Sequence, residues 1–110
     1  MATGRLGTAN ITSATTNTTL YTVPSSTFAV VSVNLCNRNS STAATVRLAI
    51  SSSATPSADE WIEYDTSIVA SGVLERTGIV VDAGKYIVAY VSSSTPTVSC
   101  VVYGIETSTA

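Results

Sequence analysis

Thr27-Phe28-Ala29-Val30-Val31-Ser32-Val33-Asn34-Leu35-Cys36-Asn37 is the longest unbroken run of strand-forming residues in the chain. Successive side chains of an extended backbone point to opposite sides, so Ala29, Val31, Val33 and Leu35 share one face and Phe28, Val30, Ser32, Asn34 and Cys36 the other. One face is wholly apolar and the other mixed, which is the pattern of a strand inside a sandwich. On the N-terminal side, residues 17–23 form a strand ended by Pro24, Ser25 and Ser26, which turn the chain into the central run, so these two strands are expected to be near neighbours. On the C-terminal side, residues 38–42 are turn-rich. Residues 45–51 then alternate, with Val46, Leu48 and Ile50 inward and Thr45, Arg47, Ala49 and Ser51 outward, which predicts a hairpin with the central run.

Further on, residues 51–58 are a Ser-rich, low-complexity loop. Residues 59–68 read as a strand, 73–81 as a strand pair or a bent strand kinked near Gly78, and 85–91 with 97–106 as a closing hairpin. Val23, Phe28, Val30 and Val33 recur 58 residues later as Val81, Tyr86, Val88 and Val91, the trace expected of one similar hairpin in each of two layers. With no helical period anywhere, the chain reads as all-β: a single-domain antiparallel β-sandwich, jelly-roll or immunoglobulin-like, of about seven to nine strands. Residues 1–16 carry too few apolar positions for a core strand. They are either a frayed terminus or edge strand, or an arm that pairs with a neighbouring subunit through Arg5, Leu6 and Ile11 and whose removal leaves the domain folded. The arm reading divides the chain into 1–16 and a sandwich domain 17–110.

Composition narrows the function. The 110 residues are 45% hydrophobic but only 11% charged, and 18 Thr with 17 Ser cover the surface instead. At a formal charge of −2 the domain has little repulsion against copies of itself. The five basic residues are scattered, so no stripe follows a phosphate backbone and nucleic acid is not an expected partner. No apolar run reaches the ~20 residues that span a bilayer, and the N-terminus lacks the apolar core of a signal peptide, so synthesis in a cytoplasm and no membrane partner are expected.

The chain has no histidine, which removes the usual catalytic triads, most zinc sites and the commonest general base. Gly78-Ile79-Val80-Val81-Asp82-Ala83-Gly84-Lys85 has one residue too many between its glycines for a phosphate loop, and it lies between strands. Strict alternation puts Asp59, Trp61, Glu63 and Asp65 on one strand face, where the acids suggest a calcium site, a hydrolase pair or, as the stronger reading, charges that guard a sheet edge. Trp61 among them is either a cap on the core or an aromatic for a protein contact or a sugar. Cys36 and Cys100 read as buried free thiols rather than an inter-sheet disulfide, because Trp61 and Val98 do not fit the immunoglobulin pattern. No catalytic residue, cofactor or metal is expected, and the chain does not read as an enzyme.

Several stretches carry a resemblance: Leu20-Tyr21-Thr22-Val23-Pro24, the central strand to Leu35, Asn37-Arg38-Asn39 and Val46-Arg47-Leu48-Ala49-Ile50. To these add Ile62-Glu63-Tyr64-Asp65, Gly72-Val73-Leu74-Glu75-Arg76-Thr77-Gly78 and Tyr103-Gly104-Ile105-Glu106. Over nearly the whole chain they resemble small all-β virion structural proteins of tailed bacteriophages, including phages of cyanobacteria. The resemblance implies a virion protein made in the host cytoplasm and released by lysis. As such it acts either as a capsid decoration or cement protein bridging capsid subunits, or as a tail, baseplate or fibre component. Its expected partners are the major capsid protein or other virion proteins and copies of itself, a trimer being one such homo-oligomer. The interface residues expected are Arg5, Leu6, Ile11, Trp61, Glu63 and Tyr64. A separate reading makes Trp61, Tyr64 and the nearby acids a carbohydrate-binding module for host attachment.

Overall fold

In the computed structural model the described residues are 2–109, and they form eight strands in two antiparallel sheets of four. These are β1 (Thr3–Ile11), β2 (Thr18–Thr22), β3 (Thr27–Asn37), β4 (Ala44–Ser51), β5 (Trp61–Ile68), β6 (Val73–Val81), β7 (Tyr86–Val91) and β8 (Val98–Ser108). One sheet runs β1-β8-β3-β6 and the other β2-β7-β4-β5. With eight strands and this crossing order the chain is an eight-stranded jelly roll, which decides between the two sandwich types left open by the sequence.

The central run is β3, and its alternation holds along its length, with Ala29, Val31, Val33 and Leu35 buried between the sheets. They meet Val46 and Leu48 of β4, Ile87, Ala89 and Val91 of β7, and Val98, Cys100 and Val102 of β8 in one core cluster. The expected pairing of neighbours in sequence fails, however. β2 and β3, β3 and β4, and β7 and β8 each lie in opposite sheets, and β4–β5 is the one hairpin of consecutive strands among the described residues. An apolar face sets which side of a strand is buried but not which strand lies beside it, and connections such as residues 38–43 and 92–97 are long enough to cross the ~10 Å between sheets. The bent strand at Gly78 is a single strand, β6, with the positive φ of 68° at Gly78 falling where its register with β3 shifts.

Of the two readings of the N-terminus, the described residues show an edge strand. β1 pairs with β8 from Thr3 to Ile11, so it belongs to the sandwich and is not an appendage to it; Met1 and Ala110 lie outside the described residues. A Cβ on Gly7 would sit 2.1 Å from the Leu20 carbonyl oxygen, so β1 can lie against β2 only because no side chain is there. At this end of the sandwich the phenol of Tyr21 in β2 donates to the Glu106 carboxylate of β8. At the other end Arg76 of β6 reaches Glu63 of β5 at 2.7 Å. Buried Asn37 closes β3 on the opposite sheet. Its amide nitrogen lies 3.0 Å from the Thr42 carbonyl and 3.2 Å from those of Ile68 and Val69, and its oxygen accepts from the Asn39 N–H at 3.1 Å. Polar groups at this depth must be paired, and Asn37 uses its capacity to do so.

Candidate functional site

The outer faces of the two sheets differ. On the β2-β7-β4-β5 sheet, the β4–β7 register sets Arg47 beside Tyr90 and Ala49 beside Val88, and the β4–β5 register sets Trp61 on the other side of Ala49. Ala49 and Val88 are fully buried yet stand apart from the core cluster, and they form the floor of this outer face.

A bulge decides what lies around Arg47. Val46 pairs with Thr66 and Leu48 with Glu63, so both Tyr64 and Asp65 lie opposite Arg47. Asp65 takes the positive φ of 54° that the bulge requires, a conformation that Asp tolerates better than most residues. The guanidinium carbon consequently lies 4.0 Å from the Tyr64 ring centre, 4.6 Å from that of Tyr90 and 5.8 Å from that of Trp61. Its Nε reaches Asp65 Oδ1 at 2.7 Å, and this bond holds the arginine above its ordinary pKa. Trp61 meets Tyr64 edge-on at 5.8 Å and Tyr90 edge-on at 6.5 Å. Tyr64 stays 57% exposed. Beside Arg47, a solvent-open notch of about 380 Å³ is lined by Ala58, Trp61 and Tyr64.

The loop that brings Ala58 to this notch is organised by one carboxylate. Glu60 accepts hydrogen bonds from the amides and hydroxyls of Ser52 and Ser57 and from the Ser51 hydroxyl, at 2.8 to 3.0 Å. These bonds hold Glu60 down from the ordinary 4.5 to about 2.

The expected acidic face does not form. Strict alternation pairs Trp61 with Glu63 and Asp65, but the bulges bring Trp61 and Tyr64 together instead. Glu63 bonds Arg76 and the Thr66 hydroxyl, and Asp65 is held by Arg47. Among the described residues no three His, Cys, Asp or Glu converge as a metal site, and no helix is long and apolar enough to cross a membrane. Of the N-terminal residues, Ile11 is buried in the core and Leu6 packs half-buried against it, so neither is a free anchor, whereas Arg5 is exposed. Cys36 and Cys100 are free thiols; they lie on neighbouring strands with Cys36 paired to Ser99 and Leu35 to Cys100, and burial pushes Cys100 up to about 12.

The outer face of the β1-β8-β3-β6 sheet carries an aliphatic row among polar residues such as Ser32, Asn34 and Ser99. Register aligns Ile105 with Val30 and Val30 with Val80 in one row across three strands, and Ile105 and Val80 are 47% and 66% exposed. Tyr103 is the next residue of β8 on this face, and its phenol donates to Glu75 of β6. Arg5, its neighbour on β1, makes no side-chain bond among the described residues, which leaves its charge available at this face. Neither surface could be named from relatives, because no protein family, curated protein or solved structure matches the chain.

Proposed function

We propose that this chain is a non-enzymatic structural protein of a phage particle, a decoration or cement protein that joins copies of itself and bridges capsid subunits. The observation that carries the reading is the row of Ile105, Val30 and Val80 on one outer sheet face, with Ile105 and Val80 exposed on either side of a half-buried Val30. Exposed aliphatic side chains aligned across several strands mark contact surfaces rather than ordinary solvent-facing ones. A second copy is the occupant that fits this face. Arg5 lies at its β1 side and Glu75 at its β6 side, so a copy turned over about an axis along the strands brings opposite charges together. The net charge of −2 opposes such association only weakly. Jelly rolls build both viral capsid and lectin domains, so the fold agrees with the reading without carrying it.

The test is the solution mass of the purified protein by analytical ultracentrifugation, beside the Val80→Glu variant. An oligomer that the variant converts to a folded monomer supports the reading, and a wild-type monomer at every concentration sinks it. Quantitative mass spectrometry of purified virions then separates the positions. A ratio to the major capsid protein near parity places the protein on the shell, a few copies per particle place it in the tail or fibres, and absence from virions overturns both.

A further inference from the structure

The notch on the opposite sheet is left unused by that assembly. We propose that Ala58, Trp61 and Tyr64 bind a sugar ring of an oligosaccharide, with the Arg47–Asp65 pair packed against the Tyr64 ring. The notch, at about 380 Å³, falls at the lower end of the ~300–1,000 Å³ of small-ligand sites. It opens along β5, the edge strand of its sheet, so a ring can enter while the rest of its chain runs past.

Ligand class follows from what the surrounding groups already hold. A cation is disfavoured, because the space among Tyr64, Tyr90 and Trp61 is filled by the guanidinium of Arg47. An anion is disfavoured too, since Arg47 is committed to Asp65 and the loop beside the notch carries Asp59 and Glu60. The ligand that remains is neutral, with an apolar face for the rings and polar edges for the Arg47–Asp65 pair. A sugar ring has that division, its C–H faces stacking on aromatic rings and its hydroxyls lying at the perimeter. Asp65, 45% exposed at its side chain, keeps acceptor capacity beyond its bonds to Arg47 and receives a hydroxyl donor. A proline ring offers the apolar face without a donor for Asp65. The aromatic walls are set before binding, because Arg47 fixes Tyr64 from one side and Glu60 fixes the loop that carries Ala58.

Trp61 is the only tryptophan of the chain, so fluorescence excited selectively at tryptophan, away from the five tyrosines, reports from this notch. The experiment titrates the wild-type protein with soluble oligosaccharides of glucose, galactose, mannose, rhamnose and N-acetylglucosamine, and with a polyproline peptide. The expected result is a saturable fluorescence change with at least one oligosaccharide, weakened about tenfold in Tyr64→Ala and reduced in Asp65→Asn. Tyr103→Ala, on the opposite face, is expected to leave it unchanged. Silence with every sugar up to millimolar concentration overturns the proposal, as does a response that survives Tyr64→Ala or one given by the peptide alone. The wild-type titration does not depend on any variant folding, and it stands or falls apart from the assembly measurement.

Discussion

At the scale of single residues, Glu60 and Tyr64 show where reading by alternation stops. A strict period of two sends Trp61 and Tyr64 to opposite faces; the bulge between Leu48 and Ala49 reunites them, and the one opposite Arg47 adds Asp65. Nothing in Tyr64-Asp65-Thr66 announces a bulge except an Asp able to take a positive φ, and Asp does so in many settings. Strand-forming alternation groups Glu60 with the strand that follows it, yet it belongs to the loop before, where it gathers the Ser52 and Ser57 amides. A lone carboxylate after a run of serines is the signal that could have revealed this role. Because the folded-state pKa of Glu60 lies below its ordinary value, the ionised carboxylate contributes fully above about 4.5 and its contribution is lost as pH falls toward about 2. Protection of the Ser52 and Ser57 amides, relative to their intrinsic exchange rates, is therefore expected to fall across that window, and Glu60→Gln to show low protection on both sides of it. Protection in the wild type that stays flat from pH 5 to 2 would remove Glu60 as the organiser of the loop.

Among the elements, strands were legible and partners were not. β2, β3, β4 and β7 begin and end close to where turn residues and alternation put them, because those signals are local. Which strands pair depends on a global closure that local pattern does not encode, so the expected hairpins of β3 with β4 and β7 with β8 are replaced by crossings between sheets. β1 shows the same limit in another form. Its few apolar residues suggested a detachable arm, but an edge strand needs only one or two, and Ile11 and Leu6 supply them. Gly7 carries the rest of the explanation, since it lets the β1 backbone approach Leu20 where any side chain would collide. Gly7→Ala is expected to part β1 from β2 and to destabilise the fold by about 1–3 kcal/mol, the usual range for overpacking. Chemical denaturation measures it, and a midpoint equal to wild type would mean the edge yields without cost. Deleting residues 1–12 now carries a different expectation from that of an arm, namely an uncovered β8 edge and a molecule prone to aggregate.

For the whole molecule, the two outer faces divide the surface, with aliphatic residues on one sheet and a notch of aromatic rings on the other. Composition points to a weakly charged surface suited to packing but not to the lining-up of its apolar residues, because that alignment arises from register between strands distant in sequence. The same long-range register sets the folding rate. A sandwich dominated by such pairings is expected to refold in milliseconds to seconds, and stopped-flow Trp61 fluorescence measures it; refolding within microseconds would contradict the topology. The pairing of β1 with β8 has a consequence during synthesis as well. Until β8 has emerged from the ribosome, β1 therefore has no partner in its sheet, and emergence of β8 is the event that completes it.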